Sequence, residues 1–328
     1  MALFDRRAVK SAAGDSLAKA QKDPKRLILI HTGATLLLAI VLTVIDYLLE
    51  QKIGTTGGLG GIGTRSVLTT VQSLLRYAQI LVLPVWNCGY LYACLQLSRQ
   101  EAADEHSLLS GFRRFGPIFR LTLLQAAIYL FIGFVCVYIS ASVFVMTPWA
   151  QELMTTLEPM METGEISQEA LLAAMESVYL PLILIFLAIF LLVTLPIYYR
   201  LRMANFSIMD GQRKGAFAAI LDSFRLTRHN CIALLKLDFS FWWFYVLDLL
   251  VSLLCYGDLI LTAFGVDLPW SPDASYFIFL FVYAAGQLLL YSWKKNEVTV
   301  TYAHVYNALK PTALDTPAPQ PTNPPWQY

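Results

Sequence analysis

The stretch AAILDSFRLTRHNCIALLKLDFSFWWFYVLD, residues 218–248, decides how the rest of the chain is interpreted. Around its start, apolar residues recur at Phe217, Ile220, Leu221 and Phe224, which is the spacing of one helix face. Its second part is almost entirely apolar, which is typical of a helix that crosses a membrane. The pattern therefore predicts a surface helix that leads directly into a transmembrane helix.

The composition indicates a membrane protein. Of the 328 residues, 57% are hydrophobic and 14% are charged. A soluble protein of this composition would expose large apolar surfaces to water. The net charge of +1 and the lack of a concentrated basic region argue against a nucleic-acid partner.

Several apolar runs are long enough to span hydrocarbon, which takes roughly 20 residues. We expect an all-α polytopic protein with a basic amphipathic segment at 1–26, a six-helix membrane domain at 27–308 and a disordered proline-rich tail at 309–328. The six predicted spans cover about 27–49, 77–98, 118–146, 180–203, 236–264 and 276–293.

Three connecting segments have patterns of their own. Ser107 to Phe115 has the apolar spacing of a second surface helix. The acidic outer loop, 147–179, is predicted to hold two short amphipathic helices hinged near Thr163 and Gly164. The last span is compatible with a helix that continues to Leu309.

In this predicted topology, most Lys and Arg residues lie on one side of the membrane. The amino end, two connections and the carboxyl side hold twenty of them, while the three opposite loops hold only Lys52 and Arg65. Because positive loops remain in the cytoplasm, both termini are expected there. The surface helices are then cytoplasmic.

An internal repeat at an offset of 112 residues supports this organisation. Seven identities fall without gaps between positions 83 and 124, among them Leu109/Leu221, Phe112/Phe224 and Arg113/Arg225. The repeated unit would be a surface helix plus a transmembrane hairpin, used three times with a degenerate first copy.

Three phrases in the chain resemble a known family. They are LLSGFRRFG (108–116), the element DSFRLTRHN…LLKLDFSFWW (222–243) and VTVTYAHVYNAL (298–309). They are similar to the bacterial integral membrane proteins grouped as domain of unknown function 975. The resemblance implies the membrane architecture, and it implies no activity or catalytic residue. The chain departs from the family in the acidic loop and in the tail.

The sequence predicts no catalytic, cofactor-binding or metal-ligating residue. The four histidines lack partners at metal-ligand spacing, and the five cysteines lie in or beside the spans, where packing is the expected role. The glycine-rich loop 54–64 lacks the strand and helix of a phosphate-binding loop. An intramembrane enzyme is therefore the least favoured hypothesis.

Asp248 lies near the middle of the predicted fifth span, where an unpaired carboxylate is costly. Candidate companions at similar depth are Asn87, Gln287 and, less easily, His31. The group could form a polar cavity for a substrate or proton, or a structural hydrogen bond between helices, and the second interpretation is preferred.

A polar cluster is also expected at the outer boundary. Asp46 and Glu50 could pair with Arg76, or all three side chains could extend separately to the headgroups.

Two functional hypotheses follow for a bacterial cytoplasmic membrane protein. The first is non-enzymatic binding of lipids or of membrane proteins, including a second copy, with Arg113, Arg225 and Arg228 contacting anionic headgroups. The second is a small transporter or export component with a polar midplane site at Asp248.

Overall fold

The computed structural model describes residues 4–55, 62–163, 168–211, 215–266 and 268–310. Within these ranges every regular element is helical. The helices are α1 Arg6–Ala18, α2 Pro24–Thr55, α3 Ile62–Ser98, α4 Glu105–Leu108, α5 Ser110–Arg113, α6 Phe115–Val145, α7 Pro148–Thr163, α8 Gln168–Leu201, α9 Ala204–Asp210, α10 Ala216–Thr227, α11 Cys231–Phe239, α12 Trp242–Leu253, a 3₁₀ turn Leu254–Tyr256, α13 Gly257–Ala263, α14 Pro272–Leu290, a π-helical turn Tyr291–Lys295 and α15 Asn296–Leu309.

Six helical segments in the described ranges are long and apolar enough to cross a membrane, which confirms the predicted all-α, six-span class. They are Pro24–Ile53, Ser66–Ser98, Phe115–Val145, Val178–Asp210, Trp242–Ala263 and Asp273–Leu309. The predicted continuation of the last span to Leu309 is present. Most of the glycine-rich loop, the expected hinge at Gly164 and nearly all of the proline-rich tail lie outside the described residues.

One or more short helices precede each pair of long ones in the element order. α1 precedes the first pair, α4 and α5 precede the second, and α9 to α11 precede the third. The helices α2 and α3 extend well beyond the apolar runs 27–49 and 77–98, since a helix does not end where its apolar residues end.

The helices divide into two compact units. One comprises Met1–Arg120 and Met203–Tyr328, and the other comprises Leu121–Arg202. In the second unit, α7 packs against the end of α6 and against α8. Its small core contains Phe144, Ala150 and Val178.

The core of the first unit is built around α15, whose residues Val300, Tyr302, Val305 and Tyr306 are buried. Side chains from four other helices pack together with Val300: Ala13 from α1, Ile28 from α2, Tyr90, Ala93 and Cys94 from α3, and Leu108 from α4. The final helix is therefore central in this unit, although its sequence indicated only a continuation of the last span.

The predicted direct passage from surface helix to fifth span is wrong. The chain turns twice, after Thr227 and after Phe239, and the span begins at Trp242 instead of residue 236. At the second turn the Ser240 hydroxyl donates to the Leu237 carbonyl at 2.7 Å, and Lys10 Nζ donates to the Ser240 carbonyl at 3.4 Å. The amino-terminal helix thus supplies a hydrogen-bond donor to a backbone carbonyl at the break between two helices.

The carboxylate of Asp238 secures the same junction from the other side. It accepts a hydrogen bond from the Tyr245 hydroxyl at 2.8 Å and a second one from the Tyr302 hydroxyl. Because these partners lie on α12 and α15, α11 is held as a separate short helix.

The prediction of a single surface helix from Ser107 to Phe115 is also wrong, because this segment forms two short helices, α4 and α5. The break brings this backbone against α3 at two glycines. A Cβ on Gly89 would overlap the Leu108 carbonyl, only 2.8 Å from its carbon, and a Cβ on Gly111 would overlap the Val85 carbonyl. Leu108 is consequently buried, whereas Leu109 is exposed.

In the acidic segment, the second of the two expected short helices is not separate. It forms the beginning of α8, which runs without interruption from Gln168 to Leu201. The sequence from Gln168 to Leu180 contains no glycine or proline, so no residue there ends the helix.

Candidate functional site

A cavity of about 390 Å³ lies between α2, α3 and the last span, within the first unit. Its walls combine aromatic rings with hydroxyl, amide, imidazole and ammonium groups. The lining residues are His31, Thr32, Thr35, Leu36, Asn87, Tyr90, Leu91, Tyr283, Gln287, Tyr291, Lys295 and Thr299. This volume falls in the range of small-molecule sites.

One wall is fixed by stacked rings. The His31 ring of α2 stacks on Tyr90 with centroids 4.6 Å apart and on Trp86 with centroids 5.5 Å apart. Trp86 Nε1 donates to the His31 carbonyl at 3.2 Å and to the Thr35 hydroxyl at 3.1 Å. The Tyr90 hydroxyl donates to Asn296 Oδ1 at 2.7 Å. These contacts tie α2, α3 and α15 together beside the cavity.

The π-helical turn supplies two further lining residues, Tyr291 and Lys295. The Lys295 ammonium lies 3.9 Å from the centroid of the Tyr291 ring, in a cation–π contact. In the described part of the chain, no carboxylate forms a direct ion pair with Lys295. Asp248 acts on it electrostatically from a longer distance.

Asp248 adjoins the cavity through Gln287. Gln287 Nε2 donates to Asp248 Oδ1 at 3.1 Å and to the Ser252 hydroxyl at 3.3 Å, which joins α14 to α12. The structure therefore brings the three predicted polar residues together: Asn87 and Gln287 line the cavity, and Asp248 is one hydrogen bond away. The contact itself is the helix-to-helix hydrogen bond of the structural interpretation.

Three side chains in the cavity wall hold buried polar atoms without a partner among the described residues. These atoms are His31 Nε2, Thr32 Oγ1 and Gln287 Oε1. Buried polar groups in proteins are nearly always hydrogen-bonded, so such a concentration is unusual. The chemistry of this wall suits a polar occupant.

The chemistry of the cavity suits binding better than bond making. Its lining residues offer hydroxyl donors, amide and imidazole acceptors and one cation. Within the described ranges His31 Nε2 has no hydrogen-bond partner.

The surface arginines remain accessible. Arg113, Arg225 and Arg228 are exposed, and none forms an ion pair or hydrogen bond with a described residue. Arg114 differs from its neighbour, because its guanidinium donates to the carbonyls of Ile208, Met209 and Gly211 at 2.7 to 2.9 Å. It closes the end of α9.

Two basic residues of the amino-terminal segment form ion pairs with other residues of the protein. Arg26 pairs with Glu105 at 2.9 Å, and Lys22 lies 3.7 Å from Asp104. Burial acts to raise the pKa of Asp104, but the Lys22 charge and the Ser107 hydrogen bonds hold that pKa below its ordinary value.

A charged network that sequence reasoning did not predict surrounds Asp210. Its carboxylate contacts Arg99 Nη1 at 2.8 Å, Lys310 Nζ at 2.6 Å and the Tyr306 hydroxyl at 3.0 Å. Although burial acts to lower the pKa of Arg99, the hydrogen bond and charge of Asp210 raise it overall. The network joins the ends of α3, α9 and α15.

The expected cluster of Asp46, Glu50 and Arg76 is an ion-pair arrangement in the structure. Arg76 Nε lies 2.9 Å from Asp46 Oδ2, and Arg76 Nη2 lies 3.5 Å from Glu50 Oε1. The Arg76 side chain is mostly exposed, so these pairs contribute little to stability where water reaches them.

A model of the family described as "Protein of unknown function (DUF975)" matches residues 1–295. The chain belongs to this family. Neither the comparison with curated proteins nor the comparison with solved structures finds a match. The matched range covers the first two of the three sequence phrases, 108–116 and 222–243, and ends before the third, 298–309.

Proposed function

We propose that this DUF975 protein is a multi-pass protein of the bacterial cytoplasmic membrane that binds anionic lipids without enzymatic activity. Both termini lie in the cytoplasm, an orientation supported by the one-sided distribution of Lys and Arg. The short helices α1, α4, α5, α9 and α10 then face the leaflet where anionic headgroups attract cations.

Two pairs of repeat-related residues carry this proposal. Leu109 and Leu221 occupy equivalent positions, and their exposed fractions are 49% and 52%. Four residues further along, Arg113 and Arg225 are also equivalent and exposed. Each site offers an apolar side chain beside a guanidinium, a combination that suits the boundary between acyl chains and headgroups. A membrane protein partner or a second copy is the alternative occupant of this surface.

Neutralising both arginines tests the proposal. We expect the Arg113→Gln/Arg225→Gln variant to bind anionic lipid at least about tenfold more weakly, because each cation near the surface contributes about 1 kcal/mol. The protein is reconstituted in nanodiscs of phosphatidylglycerol and phosphatidylcholine, extracted gently, and the lipid that remains bound is counted by mass spectrometry.

The matched control keeps the charges. The Arg113→Lys/Arg225→Lys variant retains the attraction and is expected to keep most of the bound phosphatidylglycerol. Unchanged lipid content in the glutamine variant would contradict the proposal.

A second candidate function is a small transporter or export component. The observation that favours it is the Asp248–Gln287 pair beside a cavity whose wall holds unpartnered polar atoms. Ionisable residues within spans commonly mark substrate or proton pathways.

Proton movement is the simplest form of this function to test. We expect Asp248→Asn to abolish proton uptake into proteoliposomes that contain a pH-sensitive dye, because a carboxamide, unlike a carboxyl group, does not ionise near neutral pH. Folding should be preserved, since the Asn carbonyl can still accept from Gln287. Asp258→Asn, on the same span but outside the cavity lining, is the control. Full activity of the Asp248→Asn variant would remove Asp248 from the pathway.

A further inference from the structure

We propose that the cavity binds a phosphate ester that carries free hydroxyl groups, with Lys295 as the cation that holds the phosphate. This inference deepens the second proposed function by naming a ligand class, and it goes beyond lipid binding at the surface arginines.

Lys295 has no direct ion pair among the described residues. An ammonium group inside the membrane-spanning part of a protein is costly unless it is paired or hydrated. Its contacts are the Tyr291 ring and the longer-range charge of Asp248. An anion in the cavity would complete the ion pair that the described residues do not provide.

The cavity wall around Lys295 holds both a hydrogen-bond donor and an acceptor without partners among the described residues. Thr32 carries a hydroxyl that can donate, whereas Gln287 Oε1 accepts only. A bare anion would satisfy the donors and leave the Gln287 carbonyl without a partner. A ligand with both a phosphate and hydroxyl groups satisfies Lys295, Thr32 and Gln287 together, because hydroxyls donate as well as accept.

Two opposite charges, those of Asp248 and Lys295, act on an anion in the cavity. Asp248 would repel an anion, but its carboxylate accepts from the amide of Gln287 and does not itself line the cavity. Lys295 lines the cavity itself, so the cation is nearer to the occupant than the carboxylate is.

The same chemistry could come from a soluble molecule or from a lipid headgroup, and two arms of one experiment distinguish them. In nanodiscs made only of phosphatidylcholine, glycerol 3-phosphate is titrated and followed by calorimetry, with inorganic phosphate as the comparator. In the other arm, phosphatidylglycerol is added and the bound lipid is counted by native mass spectrometry.

We expect saturable binding in one arm, and glycerol 3-phosphate should bind more tightly than inorganic phosphate if the soluble arm is the positive one. Lys295→Met should weaken binding about tenfold or more, because a hydrogen bond to a charged group is lost. Lys295→Arg should retain most of it. Lys294→Met is the matched control, since the adjacent Lys294 pairs with Glu297 and does not line the cavity.

The Thr32→Val variant distinguishes a role of Thr32 in ligand binding from a role in stability. Because Thr32 Oγ1 has no partner among the described residues, its removal should leave the melting temperature unchanged or raise it. Ligand affinity should nevertheless fall several-fold.

The absence of saturable binding in both arms would overturn the inference. Equal losses in Lys294→Met and Lys295→Met would also overturn it, because the effect would then be one of net charge. The surface proposal fails separately, since it depends on Arg113 and Arg225.

Discussion

Replacing Gly89 by alanine is expected to destabilise the folded protein by about 3 kcal/mol or more, at the upper end of overpacking effects. The new methyl group would overlap the Leu108 carbonyl of the α4–α5 connection. Backbone cannot move aside as a flexible side chain can, so α3 and this connection must separate. Leu108 and Ala93 would then lose packing contacts in the core around Val300.

Thermal unfolding in detergent, followed by size-exclusion chromatography, measures this effect. The matched control is Gly33→Ala in α2, where an added Cβ meets nothing within 4 Å. That substitution should be neutral or stabilising by up to about 1 kcal/mol, because alanine favours the helix. Similar melting temperatures for the two variants would show that the close approach of α3 to Leu108 is not required for folding.

The Asp210→Ala variant is expected to lose about 3 kcal/mol of stability, because removing one partner of a buried ionic group leaves the others unpaired. The side chain of Asp210 is 7% exposed and contacts two cations and one hydroxyl. Arg99 and Lys310 keep some access to water, which places the expected loss at the lower end of the range for buried pairs.

Unfolding in mixed micelles gives the free energy for this comparison. Asp15→Ala is the control, since Asp15 is exposed on α1, and its change should stay within about 0.5 kcal/mol. A loss for Asp210→Ala no larger than that of the control would mean that α3, α9 and α15 are held together by apolar packing alone.

The six spans could be predicted because a long apolar run is a local property of the sequence. The helix breaks could not, because they depend on distant partners. Lys10 binds backbone at Ser240, 230 residues away, and Leu108 turns against a glycine on α3. Neither relation produces a periodic signal in the segment that it shapes.

The candidate site divides in the same way. Asp248, Asn87 and Gln287 were recognisable because a polar residue stands out within an apolar run. Lys295 was not, since a lysine just after the last apolar run resembles an ordinary boundary charge. The Asp210 network joins residues about a hundred positions or more apart in the chain, and its members are unremarkable as sequence.

The π-helical turn from Tyr291 to Lys295 also sets the angular phase of the last span. Each residue of an α-helix advances about 100° around the axis, so the wider turn displaces the side chains beyond it from the positions that an unbroken α-helix would give them. Gln287 contacts α12 before this turn, and Asn296 contacts Tyr90 of α3 after it. The number of residues in this turn, as much as their chemistry, fixes which side chains meet across the membrane interior.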